Sequence, residues 1–297
     1  MAASGGTEVD VAGRTLRLSN LDKVLYPAAG FTKGQVIDYY SRVAPVALEH
    51  LRGRALTLKR YPDGVDGKFF YEKQKPSHAP DWVASATVPT GARDIDFVLC
   101  DDLPTLVWLA NLADIELHPS LALAAAPDTP TVLAFDLDPG PPAGLAECRE
   151  VALELRDTFA DLGLDCLAKT SGSKGMQVYV PLNTPVTYDD TKPFAHAIAQ
   201  LLEKRRPELI VSRMKRELRR GKVLIDWSQN DRHKTTVAAY SLRARERPTV
   251  STPVGWDEVA NGDAELVFDS DAALERIERH GDLFAPVLEL RQRLPEL

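Results

Sequence analysis

A chain of 297 residues that is 44% hydrophobic, 27% charged and 7% aromatic has the composition of a folded protein with one large domain or two coupled lobes, which excludes a disordered tail, a coiled coil or a collagen-like repeat. No stretch approaches the run of about 18 apolar residues that a membrane helix needs, since the most hydrophobic region, 103–127, is broken by Asp114, Glu116 and His118. The net charge of −7 argues against a nucleic-acid partner only if the charge is evenly spread.

In chain order, the opening Met1-Ala2-Ala3-Ser4-Gly5-Gly6 lacks the basic and apolar regions of a secretory leader, which predicts a cytoplasmic protein. Alternation over 8–18 around Ala12-Gly13 predicts a short hairpin. Thr32 and Gln35 have the spacing of a capping box, and Val36, Tyr39, Tyr40 and Val43 supply the apolar stripe of a helix that Pro45 kinks or ends. A strand is predicted at Leu56 to Arg60. The stretch from Tyr61 to Pro80 is rich in Pro, Gly and Lys yet carries Phe69-Phe70-Tyr71, which reads as a loop or irregular hairpin with something to hold. Next come a strand at Ile95 to Cys100, an apolar helix at Leu103 to Ala113 and a buried strand at Thr131 to Leu137. An amphipathic helix from about Leu145 to Leu162 stops at Gly163. Strands near Cys166 to Thr170 and Met176 to Val180, a helix near Asp190 to Lys204 and a strand at Lys222 to Trp227 follow, and the tail from Trp256 reads as a peripheral cap. Strands and helices mix without strict alternation, so the class is α/β or α+β with two lobes. Cys100, Cys148 and Cys166 show no C-x-x-C spacing, so neither a disulfide framework nor a zinc site is predicted.

Charge is not evenly spread. Nine basic residues against two acidic ones lie between Lys204 and Lys222, a local net of +7, and Arg232, His233, Lys234, Arg243, Arg245 and Arg247 follow with Asp231 and Glu246 opposing. This is either a surface for an anionic partner or a solvated helix face with scattered ion pairs.

Three motifs carry chemistry. In Phe135-Asp136-Leu137-Asp138-Pro139-Gly140, side chains at i and i+2 of a strand share a face, so Asp136 and Asp138 project together while Leu137 packs behind. Paired carboxylates need a countercharge. Divalent cations are the usual one, and two of them about 3.5–4 Å apart stabilise attacking and leaving oxygens in phosphoryl transfer. A lone Asp-x-Asp is more often a turn cap or solvated loop. A second strand ends its apolar run on Asp226, where a carboxylate is costly unless paired, protonated or on a metal. Lys169-Thr170-Ser171-Gly172-Ser173-Lys174-Gly175 is a hydroxylated turn whose glycines and N–H groups can cradle phosphate and whose Lys174 can neutralise it. It lacks the Walker spacing, so an ordinary hairpin turn is the alternative, as a structural histidine is for His118.

Together with Ser19-Asn20-Leu21-Asp22-Lys23-Val24-Leu25-Tyr26-Pro27, Leu58-Lys59-Arg60-Tyr61-Pro62, Ile115-Glu116-Leu117-His118 and Asp226-Trp227-Ser228-Gln229-Asn230, these motifs resemble, in family order, the polymerase domain of bacterial ATP-dependent DNA ligase D, within the archaeo-eukaryotic primase superfamily. The resemblance implies a two-lobed primase-polymerase fold with mixed central sheets flanked by helices and an RRM-like catalytic core. It implies a single module over 1–297, with an N-terminal lobe (about 1–115) contacting DNA, a catalytic lobe (about 116–255) and a helical cap (about 256–297). The activity implied is template-directed nucleotidyl transfer that fills short gaps or extends ends in break repair, favouring ribonucleotides and using two divalent metals, manganese before magnesium.

On that resemblance Asp136, Asp138 and Asp226 hold the metals. His118, Ser171, Ser173, Lys174 and Arg243 match positions that contact the incoming nucleoside triphosphate, with Lys59 and Gln229 nearby. Phe69 and Phe70 match aromatics that stack on template and base. Asn20, Lys23 and Lys33 match a pocket for a downstream 5′-phosphate, and Arg219 or Arg220 a mobile basic loop. The Lys-x-Asp-Gly motif of the fused ligase does not occur in these 297 residues, which implies a stand-alone homologue or an excised domain, working with a ligase in trans and with Ku, in the cytoplasm on the nucleoid. A primase that starts chains without a primer and a non-catalytic DNA-end binding module are the competing readings.

Overall fold

The computed structural model describes residues 6–295; of the opening residues 1–6 on which the expectation about a secretory leader rests, 1–5 lie outside the described ones. Strands β1 (Thr7–Val11) and β2 (Arg14–Leu18) form the expected hairpin, turning on Ala12 and Gly13 at φ of 50° and 79°, the left-handed pair that a two-residue turn between twisted strands requires. Short strands β3 (Val24–Tyr26) and β4 (Phe31–Thr32) pair and lead into helix α1 (Lys33–Leu51). Its capping box is formed: Thr32 Oγ1 accepts from Gln35 N at 3.3 Å, and Gln35 Oε1 accepts from Thr32 N at 2.8 Å. The helix runs through Pro45 instead of ending there, because burial of Val36, Tyr39, Tyr40, Val43 and Ala47 outweighs one lost backbone bond.

Strands β5 (Leu56–Arg60), β6 (Phe70–Glu72), β7 (Ser85–Pro89) and β8 (Asp94–Val98) precede helix α2 (Leu103–Asn111), capped by Asp102. Strand β9 (Asp114–Pro119) then pairs with β5, and these five strands make the first sheet. The position near 115/116, at which the N-terminal and catalytic lobes were expected to meet, lies within β9, which pairs with β5.

The second half runs β10 (Val132–Pro139), α3 (Leu145–Asp161), β11 (Leu167–Thr170), β12 (Met176–Pro181), α4 (Tyr188–Arg205), β13 (Ile210–Val211) and β14 (Val223–Asp226). Strand β15 (Pro253–Val254) completes a sheet ordered β13-β14-β10-β12-β11-β15. Without its two-residue edge strands this is β-α-β-β-α-β with β14, β10, β12 and β11 antiparallel, the RRM-like arrangement. Leu133, Phe135, Leu137, Met176, Val178 and Ile225 face the core that contains α3 and α4. Alternation turns Val132, Ala134 and Tyr179 to the other face, into the core shared with the first lobe. Helices α5 (Trp256–Ala260), α6 (Ser270–His280) and α7 (Pro286–Glu289) follow. Among the described residues no helix is long and apolar enough to cross a membrane, and the three cysteines are buried and unpaired.

Candidate active site

On the sheet face opposite α3 and α4, apolar residues give way to polar ones where the lobes part. Asp136 stands directly across from Asp226 on β14 and from Gln177 on β12, and Asp138 shares its face. Cross-strand neighbours have Cβ atoms about 4.5–5.5 Å apart, so register alone gathers the three carboxylates. Burial, reinforced by Asp138 and Asp226, pushes the Asp136 carboxyl up to about 6, although the Gln177 amide and Lys169 oppose it. Asp226 is held by its own turn: Oδ1 accepts from Ser228 N at 2.9 Å and Ser228 Oγ at 2.6 Å, and Oδ2 from Gln229 Nε2 at 2.8 Å. Asp138 is exposed, with Oδ2 3.8 Å from an Arg219 nitrogen. As these side chains stand, no group of three His, Cys, Asp or Glu among the described residues converges closely enough to hold an ion. The donors nevertheless fit a divalent cation chemically: all are carboxylate oxygens on one face, and the charges of Asp138 and Asp226 add to the upward push on the Asp136 carboxyl.

Beside them opens a cleft of about 580 Å³, within the range of small-ligand sites. Of the expected residues, His118, Asp136, Asp138, Ser171, Ser173, Lys174, Gln229 and Arg243 line it. The 171–175 turn joins β11 to β12, with Ser171 Oγ accepting from Ser173 N and Gly175 N, both at 3.2 Å. Gly172 sits at φ +64°, and a Cβ there would meet the Val250 carbonyl carbon at 2.6 Å and Ser251 N at 2.7 Å, so only glycine fits. Arg243 is tied to this cradle by donating Nη1 to Ser171 O. Lys174 is exposed beside it.

Glu116, 2% exposed, anchors the opposite wall. Its Oε2 lies 3.0 Å from His118 Nε2, 3.1 Å from Lys59 Nζ and 3.5 Å from Arg243 Nε, while Oε1 accepts from Ala244 N at 3.1 Å and Tyr61 Oη at 3.3 Å. Burial works to raise the Glu116 carboxyl, but His118, Arg243 and Lys59 outweigh it and hold it well below the ordinary carboxylate range. Burial in turn pushes His118 down, against the attraction of Glu116.

Several expected residues lie elsewhere. Lys59 does not line the cleft; its ammonium is spent on Glu116, 4.7 Å from the centre of the Phe69 ring. Phe70, expected at the nucleotide, has its ring 5.2 Å from the Arg60 guanidinium and does not line the cleft, because adjacent strand residues point to opposite faces. Tyr71 takes that wall, 6.2 Å from the His118 ring and 5.9 Å from Phe69. Asn20, Lys23 and Lys33 come together outside the cleft: Asn20 is left-handed at φ 54°, Lys23 N donates to Asn20 O at 3.0 Å, and Lys33 N donates to Lys23 O at 2.8 Å. Of the consecutive arginines, Arg219 is the one that reaches Asp138, whereas Arg220 is exposed. The basic run is partly consumed: Arg206 pairs with Glu150, Glu154 and Glu208, and Arg213 with Glu203. Sequence reasoning gave no role to Glu116, Gln177, Lys169, Tyr71 or Lys73; His233, Lys234 and Arg245, which also line the cleft, were visible only as part of the second basic set.

Three carboxylates on adjacent central strands, a glycine-bound hydroxyl cradle and a basic cleft wall, set on an RRM-like sheet, are the parts of a nucleotidyltransferase of the primase-polymerase class. The sequence model of the LigD primase-polymerase domain matches residues 32–284, and the chain belongs to that family, whose members have DNA polymerase activity. It is similar to the multifunctional non-homologous end joining protein LigD of Mycolicibacterium smegmatis, 42% identical over 92% of this chain and 36% of that protein. The LigD proteins of Mycobacterium tuberculosis H37Rv (44% over 90% of this chain and 36% of that one) and Bacillus subtilis (32% over 90% and 43%) are further relatives. The chain thus spans about a third of the length of the mycobacterial relatives it matches. The polymerase domain of M. tuberculosis ligase D, solved in complex with DNA, superposes with a TM-score of 0.87 at 41% identity, covering 92% of this chain and 97% of that one.

Proposed function

We propose that this chain is a template-directed polymerase that fills short gaps or extends broken DNA ends, recognises a downstream 5′-phosphate and favours ribonucleotides with manganese over magnesium. The observation that carries the reading is the register pairing of Asp136 with Asp226 next to the 171–175 cradle. Asp136, Asp138 and Asp226 would hold the divalent ions, whose chemistry is to activate the primer hydroxyl and neutralise the triphosphate. Ser171, Ser173, Lys174 and Arg243 bind and orient the phosphates, with Gly172 permitting the close approach. Glu116 holds His118 and Arg243 in place, and Tyr71 offers a stacking face for the base. The DNA in the M. tuberculosis domain's structure supports a DNA partner, and the end-joining relatives support a place in the nucleoid-associated cytoplasm beside Ku and a ligase acting in trans. Template-dependent extension on a gapped, 5′-phosphorylated duplex with Mn²⁺ and ribonucleotides is the expected result. Product on unprimed single strands would favour a primase, and binding without extension an end-binding module.

The 5′-phosphate pocket carries a pH prediction. Lys33 lies at the N-terminus of α1, where N–H groups favour an anion, and donates Nζ to Ser19 O at 2.7 Å. Burial, followed by the charge of Lys23, lowers Lys33 to about 8. A phosphate restores the charged form, so binding to 5′-phosphorylated gaps is expected to weaken as pH rises through about 8. Lys33→Met should remove most of that pH dependence and of the preference for 5′-phosphate over 5′-hydroxyl gaps, measured by fluorescence anisotropy; equal loss on both gaps would refute the pocket.

A further inference from the structure

Four polar side chains form one line across the second sheet. Asp226, Asp136, Gln177 and Lys169 occupy successive cross-strand positions on β14, β10, β12 and β11, so all four share one face. Lys169 is 0% exposed. Its Nζ donates to Gln177 Oε1 at 2.5 Å, Ser251 Oγ at 2.6 Å and Val237 O at 3.1 Å, three neutral acceptors for the three hydrogens of an ammonium. Ser251 does not return the bond, since its hydroxyl donates to Thr170 O at 2.8 Å. Burying an ammonium with neutral partners alone is costly, and a methionine would occupy similar space without that cost.

The Gln177 amide shows what the lysine does. An amide has one donor end and one acceptor end. Lys169 takes the acceptor end, joined by Tyr179 Oη at 3.3 Å. The donor end is thereby turned to Asp136, where Nε2 donates to Oδ1 at 3.0 Å. With the amide reversed, its carbonyl would face the carboxylate and its NH₂ group the ammonium, two repulsive contacts. The protein therefore engages one oxygen of Asp136 from the side of the sheet and leaves the other for the cleft.

We propose that Lys169 is a positioning residue for the divalent cation: acting through Gln177, it sets the orientation of the Asp136 carboxylate. The inference rests on the reading of Asp136, Asp138 and Asp226 as the cation's ligands. Partners that orient a metal ligand change metal affinity or activity about 10–100-fold when removed.

The test is Mn²⁺ binding to the full chain, read from the electron paramagnetic resonance signal of the free ion, alongside gap extension at varied Mn²⁺. Lys169→Met is expected to weaken Mn²⁺ binding about 10-fold or more and to raise the half-saturating metal concentration by the same factor. Gln177→Met should do likewise, and the double variant should be no worse than Gln177→Met, because both changes remove the same bond to Asp136. Lys169→Arg, which keeps an N–H donor for the Gln177 carbonyl, should recover part of the loss. Asp136→Ala separates the two levels. If Asp136→Ala leaves Mn²⁺ binding intact, the metal reading itself fails. If Asp136→Ala abolishes binding while folded Lys169→Met and Gln177→Met bind as the parent does, the role of Lys169 is overturned and the metal reading stands. Should Lys169→Met not fold, Gln177→Met decides alone, with parent-like Mn²⁺ binding overturning the inference.

Discussion

Asp136→Asn is expected to make the metal-free protein more stable at pH 7.5 while lowering nucleotidyl transfer about 10³-fold or more, since losing several kcal/mol of metal-borne charge stabilisation is worth a factor of ten per 1.4 kcal/mol. The stability gain follows from the raised carboxyl. Asp136 is pushed from 3.8 up to about 6, so the folded protein binds a proton that the unfolded chain has released. Its charge costs nothing below about pH 4, costs more as pH rises, and reaches its full cost above about 6. Removing the charge should therefore return up to about 3 kcal/mol at neutral pH and almost nothing near pH 4. Added Mn²⁺ should stabilise the parent by mass action and leave Asp136→Asn unmoved. Thermal unfolding at pH 4 and 7.5, with and without Mn²⁺, checks all three; a variant less stable than the parent at pH 7.5 would contradict the argument.

Glu116→Ala is expected to destabilise the fold by about 3–5 kcal/mol, the cost of removing one side of a buried charge cluster. Lys59, His118 and Arg243 then face one another without their common acceptor, so surviving folded protein should also bind nucleotide poorly. Glu116→Gln should fail for the same reason, which separates charge from packing. The pH dependence runs opposite to that of Asp136. The Glu116 carboxyl is held well below its ordinary 4.5, so its contribution is full above about 4.5 and is lost only as pH falls below that towards the folded value. The gap between parent and Glu116→Ala should stay constant from pH 8 to about 5 and narrow in stronger acid. Urea melts across that range measure it.

These two residues also mark how far the sequence could be read. Asp136 and Asp138 were legible as a pair because strand alternation is local, and the same rule placed Leu137 in the core beneath them. Glu116 sits in β9, a strand between an apolar helix and the next predicted strand that local patterning did not mark, and its burial depends on chain that covers it only in the folded protein. Its three partners Lys59, His118 and Arg243 come from β5, β9 and the segment after β14, and no spacing rule joins them. The aromatic cluster shows a different limit. Phe69, Phe70 and Tyr71 were visible as a unit, but β6 is three residues long inside a loop rich in Gly and Pro, too short for alternation to set its phase, so the choice of Tyr71 over Phe70 fell to its pairing with β5.

By itself the sequence determined the elements whose signals are local: the Ala12-Gly13 turn, the Thr32 cap, the Asp-x-Asp strand end, the glycine turn at 171–175 and the uneven charge. Motif order along the chain carried the family. The tertiary structure alone decided which strands became neighbours. Register brings Asp226 opposite Asp136 and lays Gln177 and Lys169 beyond it in one row, and burial turns Lys169 and Glu116 from ordinary surface charges into fixed parts of the site. The physical reason is that side-chain direction follows from a residue's immediate neighbours, whereas cross-strand contact and desolvation depend on chain segments that meet only when the two lobes have packed.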